Sequence, residues 1–332
     1  MIPKSKTHGP RNHTEYTDRT RSMLGPFSRC LSILIYHRVI AEPDPLIQGE
    51  VCAREFDWQL TVLGRWFRVF PLPEAVARLR NGTLPLRAAC VTFDDGYADN
   101  VTAALPILRR HGMPATFFLA TAFINGGRMW NDTVIETVRR APGNTLDARP
   151  VGLDTLDITT LDLRRQVIDR LLMALKYLPL DERTRRADEL STATACELPS
   201  GLMMTTEEVR HLHKCGMEIG AHTVNHPILA KLDPERAGNE IRDSKARLEA
   251  ITGASVSLFA YPNGKPGLDY CREHVDMVKE LGFEAAVSTA YGVARAASDP
   301  FQLPRFTPWD RTPGMFLLRL MQNTFRTRAE RV

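Results

Sequence analysis

The sequence predicts an α/β fold, an irregular (β/α) barrel of about seven strands that carries a helical insertion. Three observations point there. Short apolar runs bounded by turn residues recur down the chain, segments with helical periodicity separate most of them, and 332 residues suit one enlarged barrel unit. Such alternation gives a mostly parallel sheet, wound open or closed on itself, and the strand count favours closure. With 43% hydrophobic and 25% charged residues the chain has material for a substantial core, which excludes wholesale disorder.

The predicted strands are residues 31–36, 68–72, 88–94, 115–120, 217–223, 258–261 and 284–289. Pro73 and Gly82 bracket one of the helices between them. Thr205 and Glu208 make a capping box ahead of Val209 and Leu212, and Gly216 stops that helix. Asp233 and Pro234 open another, in which Ile241, Leu248 and Ile251 follow at helical spacing until Gly253. The stretch from about 125 to 201 breaks the alternation. Its amphipathic run of Leu163, Val167, Leu171, Leu172, Leu175 and Leu178, then Pro179 and a charged continuation through Glu189, reads as a helical insertion. The expected organisation is a loosely attached polar tail over 1–28, one domain over 29–312 containing the insertion, and a C-terminal helix or tail over 313–332.

A net charge of +4 without a basic block gives no indication of a dedicated nucleic-acid surface, and the expectation is no nucleic-acid partner. Cys30, Cys52, Cys90, Cys196, Cys215 and Cys271 are scattered with no Cys-x-x-Cys pair, which argues against a zinc ribbon and fits a reducing compartment. The apolar run at 31–36 is too short for a secretory or membrane segment, so the expectation is a cytoplasmic protein with no membrane span. The sequence carries no signal for oligomeric state.

Two constellations carry chemistry. Val91-Thr92-Phe93-Asp94-Asp95-Gly96-Tyr97 is an apolar run ending in two carboxylates and a glycine. Acids at the C-terminal end of a parallel strand sit on the functional face of such folds, although either could instead cap the following helix. His222-Thr223-Val224-Asn225-His226-Pro227 also follows a predicted strand. Imidazoles four residues apart can converge on one metal ion, but the same spacing suits structural or solvent-facing histidines. Their joint occurrence favours function, because parallel strands bring the two ends together. One carboxylate with two imidazoles leaves coordination positions open, as a hydrolytic metal needs, and frees the other carboxylate as a base.

Thr92-Phe93-Asp94-Asp95-Gly96 and His222-Thr223-Val224-Asn225-His226-Pro227 resemble the first two motifs of the NodB-type polysaccharide deacetylases, carbohydrate esterase family 4, over about residues 30 to 310. The resemblance implies a distorted (β/α) barrel, Asp94 as catalytic base, and Asp95, His222 and His226 as ligands of a divalent metal, zinc foremost with cobalt, nickel or iron as alternatives. The family's third motif, Arg-x-x-Pro-Tyr, reads Phe259-Ala260-Tyr261-Pro262-Asn263-Gly264 here, a form that resembles an exopolysaccharide- or capsule-associated branch. Arg305 is the candidate replacement for the missing arginine beside Asp94, with an ordinary ion pair as the alternative. The family's late Leu-x-x-His is also absent, since no histidine follows His274. His37, at the end of the first strand, is the candidate general acid. Tyr97, Trp130, Tyr261, Asn263 and Trp309 are the candidate substrate contacts, the aromatics as sugar platforms or, equally, as core packing. The expected reaction is hydrolytic removal of acetyl groups from an N-acetylated saccharide. An allantoinase-like amidohydrolase and a non-catalytic carbohydrate-binding protein are the competing readings, the latter disfavoured by the intact acids and histidines.

Overall fold

The computed structural model describes residues 29–194, 197–326 and 329–332. The tail expected over 1–28 lies outside the described residues. Seven parallel strands neighbour one another in chain order: β1 (Leu31–Tyr36), β2 (Ala88–Phe93), β3 (Thr116–Leu119), β4 (Glu218–Ala221), β5 (Leu258–Ala260), β6 (Ala285–Tyr291) and β7 (Leu303–Arg305). The ring closes through Phe306, whose N–H donates to Ile33 O (2.7 Å) and whose carbonyl accepts from Ile35 N–H (3.0 Å). Every residue of β1 and β2 is buried, as expected where helices cover the outer face and side chains fill the inside.

The expected count of strands holds, but one member differs. Of residues 68–72 only Arg68–Val69 are extended; they pair with Ala88 and Ala89 at the start of β2, off the barrel path, and Leu72 already begins a helix. The seventh barrel strand is β7, a three-residue segment containing Pro304. Its shortness and its proline hide it from period-two patterning.

The helices are α1 (Ala53–Trp66), α2 (Leu72–Arg80), α3 (Leu105–His111), α4 (Trp130–Arg140), α5 (Leu161–Lys176), α6 (Leu180–Ala193), α7 (Thr206–Lys214), α8 (Pro234–Thr252), α9 (Arg272–Glu280) and α10 (Pro313–Thr324). The expected caps form. Thr205 Oγ1 accepts from Glu208 N–H (3.2 Å) while Glu208 Oε2 accepts from Thr205 N–H (2.7 Å), and Asp233 Oδ1 accepts from Arg236 N–H (2.9 Å). The expected C-terminal helix is α10, with Phe316 edge-on to Trp58 of α1 at 5.8 Å. No helix among the described residues is long and apolar enough to cross a membrane.

Helices α4, α5 and α6 form the insertion, together with an antiparallel pair, Thr145–Asp147 on Thr155–Asp157, that periodicity did not reveal. They bury a core of their own around Val138, Leu146, Ile158, Leu171, Leu175 and Leu190. The insertion is thus a packed subunit of structure rather than a loop.

Inside the barrel, packing leaves no room at Gly220. A Cβ there would stand 2.4 Å from Phe118 Cδ1 and 2.5 Å from Cε1, and the Phe118 ring also lies 5.9 Å from the Arg305 guanidinium. Gly220→Ala is expected to cost about 1–3 kcal/mol through overpacking. Urea unfolding checks this; an unchanged midpoint would mean that the ring moves aside freely.

A candidate metal and catalytic centre at the strand ends

Register sets the layer. Tyr36 pairs with Phe93, Phe93 with Phe117, Leu119 with Ala221, and Ala221 with Phe259. His37, Asp94 and His222, each the residue just after a strand, therefore emerge at one rim, the C-terminal face where parallel barrels build their sites.

Asp94 is fixed from below. Its two carboxylate oxygens each accept from the Arg305 fork at 2.7 Å, Arg305 Nη1 also reaches Thr92 Oγ1 (3.3 Å), and Arg305 Nε–H donates to Ser288 O (2.9 Å). Both partners are buried, with side chains 0% and 3% exposed. Burial pushes the Asp94 carboxyl up, but Arg305 and His222 outweigh it and hold it below the usual carboxylate range. The arginine that clamps Asp94 thus comes from β7. Asp94 does not cap a helix.

Asp95 turns the other way. It sits at φ 77°, a left-handed conformation costly for a residue with a Cβ, as do Thr223 (65°), His226 (51°) and Asn263 (58°). The histidine loop is held in this shape by Glu240 of α8, whose carboxylate accepts from Val224 N–H (2.9 Å), Asn225 N–H (2.8 Å) and Asn225 Nδ2–H (2.7 Å). His222 Nδ1–H donates to Ala260 O (2.7 Å), which turns Nε2 toward the acids.

The result is a cluster of three residues that could hold a metal ion. Asp95 Oδ1 lies 3.5 Å from His222 Nε2 and 3.4 Å from His226 Nε2, and one ligand atom from each residue falls within 4.8 Å of the others. Two atoms each ~2.1 Å from a tetrahedral ion stand roughly 3.4 Å apart, so the spacing fits a shared cation. Asp95 Oδ1 is buried with no hydrogen-bond donor, an orphaned acceptor that a cation would satisfy. Burial pulls His226 down to about 3, with His222 and Arg183 adding to it against Asp95, so this imidazole is neutral and ligand-competent. His222 is shifted up: burial lowers it, but Asp94 and Asp95 prevail. The Asp95 carboxyl is held down, since His222, His226 and His37 overcome its burial.

Above these residues lies a cleft of about 660 Å³, lined by His37, Asp94, Asp95, Tyr97, Trp130, His222, His226 and Asn263 among others. Two of the expected substrate contacts are elsewhere. Tyr261 is fully buried, stacked on Tyr270 at 3.9 Å with its hydroxyl donating to Phe301 O (3.0 Å), because the residue after β5 points into the core. Trp309, 63% exposed, lines a neighbouring groove of about 310 Å³ that shares His37, Glu50 and Thr289 with that cleft. Tyr97 reaches the cleft, but its hydroxyl is committed to Asp132 (3.1 Å) and its ring lies under the Arg38 guanidinium (4.7 Å).

Several residues of the site went unread in the sequence. Glu240 offered one signal, an acid on the buried stripe of Ala237, Ile241, Ser244 and Leu248. Glu50, whose carboxyl burial pushes up, faces the same cleft with no motif around it. Asn131, Asp169, Met173 and Lys176 come from α4 and α5, so the insertion builds one wall of the cleft. Asp132, behind Tyr97, is pushed up to about 7 by burial.

Strand-end acids and imidazoles over a parallel barrel, open to a solvent cleft, define the class as a barrel hydrolase. The polysaccharide deacetylase family model matches residues 81–149 and 184–286, more than half of the chain, and the protein belongs to that family of deacetylating enzymes. The unmatched interval falls in the insertion. Among relatives, YxkH of Bacillus subtilis, named after the same family, is 21% identical over 287 residues, covering 86% of this chain and 72% of its own. The Streptococcus pyogenes deacetylase PplD, solved with acetate, superposes with a TM-score of 0.59 at 20% identity over 89% of this chain and 98% of its own. IcaB from Ammonifex degensii does so with a TM-score of 0.58 at 19% identity, over 90% and 98%. Both have this fold.

Proposed function

We propose that the enzyme is a metal-dependent deacetylase of N-acetylated saccharides in which Asp95, His222 and His226 hold a divalent cation, zinc foremost, and Asp94 is the base. The observation that carries this reading is the division of labour between adjacent acids: Asp94 is clamped by Arg305, whereas Asp95 Oδ1 is left facing two imidazoles. A cation bound there supplies Lewis acidity at the acetamide carbonyl and a lowered pKa for a water.

The chain's own groups supply the rest. Asp94, ionised at neutral pH, takes the proton of the attacking water. Arg305 fixes the orientation of its carboxylate. Gly264 N–H is spent on Pro262 O (2.6 Å), so the oxyanion donor proposed in this loop is Asn263. His37 delivers a proton to the departing nitrogen as the carbon–nitrogen bond breaks, giving acetate and a free amino sugar. The Phe259-Ala260-Tyr261-Pro262-x-Gly264 form of the third motif supports an exopolysaccharide-type substrate.

Purified protein is expected to carry close to one equivalent of divalent metal, and a His222→Ala, His226→Ala double variant to lose it together with acetate release from N-acetylated oligosaccharides. Elemental analysis and an acetate assay check both. No metal in the wild type under any loading condition would overturn the reading, as would turnover of allantoin in place of the saccharides.

A further inference from the structure

A second cavity, of about 1000 Å³, shares Trp130 with the catalytic cleft and lies between helices α4 and α6 of the insertion and the Asn225 and Glu240 side of the barrel. How its charges pair decides its character. Arg185 is paired with Glu189 (2.5 Å) and Arg236 with Asp181 (3.4 Å) at the exposed rim. Glu240 is spent on the histidine loop. Asp188, exposed, acts on Arg128.

Arg183 remains. It is 2% exposed, and its guanidinium lies over the Trp130 ring at 5.0 Å while Nη2–H donates to His226 O (3.3 Å). Among the described residues no carboxylate pairs with it, and its Nε–H is buried without an acceptor. Arg128, half-buried and facing Asp188, adds a second orphaned donor on the same cavity: Nη1–H donates to Pro199 O (2.8 Å) and Nε–H is buried without an acceptor. Buried charged donors without acceptors are costly, and guanidinium forks match planar and tetrahedral oxyanions.

We propose that this cavity is a substrate subsite for an oxyanion, a sugar carboxylate or a phosphate, held by Arg183 and Arg128 and reached from the catalytic cleft across Trp130. The saccharide part of this inference rests on the deacetylase reading. An anionic residue in the subsite would place a neighbouring acetamido sugar over the cluster of Asp95, His222 and His226, making the enzyme selective for acidic or phosphate-linked chains.

Calorimetric titration of the protein tests it, with two anionic probes each set against a neutral counterpart: hyaluronan hexasaccharide against chitohexaose, and UDP-N-acetylglucosamine against N-acetylglucosamine. At least one anionic probe is expected to bind tenfold or more tightly than its counterpart at low salt, and which one does so tells carboxylate from phosphate. The advantage is expected to shrink as salt is added, to fall within twofold in Arg183→Met, and to drop by at least half in Arg128→Gln. No anionic advantage in the wild type overturns the proposal, and so does an advantage that survives Arg183→Met. Should Arg183→Met fail to fold, an advantage insensitive to both salt and Arg128→Gln overturns it. Acetate release measured in parallel separates the two readings. No acetate from any probe defeats the deacetylase reading while the binding preference stays readable, whereas acetate with equal kcat/KM for charged and neutral chains defeats the subsite alone.

Discussion

Asp94→Asn is expected to retain metal and to lose turnover by roughly 10²–10⁴-fold, the contribution of a positioned general base. The substitution keeps shape and leaves one acceptor for the Arg305 fork, but it removes the charge proposed to take the proton. Asp95, the next residue, is not a substitute, because its left-handed backbone turns the carboxylate toward the two imidazoles. Elemental analysis beside single-turnover acetate release reads both halves of the expectation. Unchanged turnover would remove Asp94 from the base role, and loss of metal would make it a ligand instead.

Arg305→Met acts on the same carboxylate from beneath and should damage stability as well as rate. Breaking a buried ion pair by deleting one partner costs about 3–5 kcal/mol, because the other charge is left without compensation. The pH dependence gives the sign. In the wild type the Asp94 carboxyl is depressed when folded, so its contribution to stability is present above the unfolded value of about 3.9 and is lost as pH falls through the folded value. Without Arg305, burial is opposed mainly by His222, and the carboxyl rises. The folded state then prefers the protonated form, and stability drops as pH increases. The variant is therefore expected to be much more destabilised at pH 7 than at pH 4, with the acidic limb of its kcat/KM profile moved upward. Urea unfolding at the two pH values and a pH–rate profile check this. A loss of stability equal at both would assign Arg305 to packing alone.

The sequence by itself picked out the candidate quartet and most of the barrel. Asp94 and Asp95 after one apolar run, and His222 and His226 after another, are local patterns, and parallel strands bring such ends to one rim whatever the details. Helix limits at Thr205, Asp233 and Gly253 were legible for the same reason, since a cap is a contact between residues three or four apart. What only the tertiary structure decided depends on contacts without a local signature. Arg305 meets Asp94 across 211 positions through a three-residue strand that barrel closure creates. Glu240 shapes the histidine loop from a different element, and α4 and α5 bring their own residues to the cleft wall. Tyr261 and Trp309 show the converse. Their neighbourhood in sequence suggested substrate contact, but the direction of a side chain at a strand end is set by what packs around it: one ring is sealed against Tyr270, the other left in an adjoining groove. Periodicity and caps are short-range, whereas the clamp on Asp94 comes from barrel closure and the wall of the cleft from the packing of the insertion.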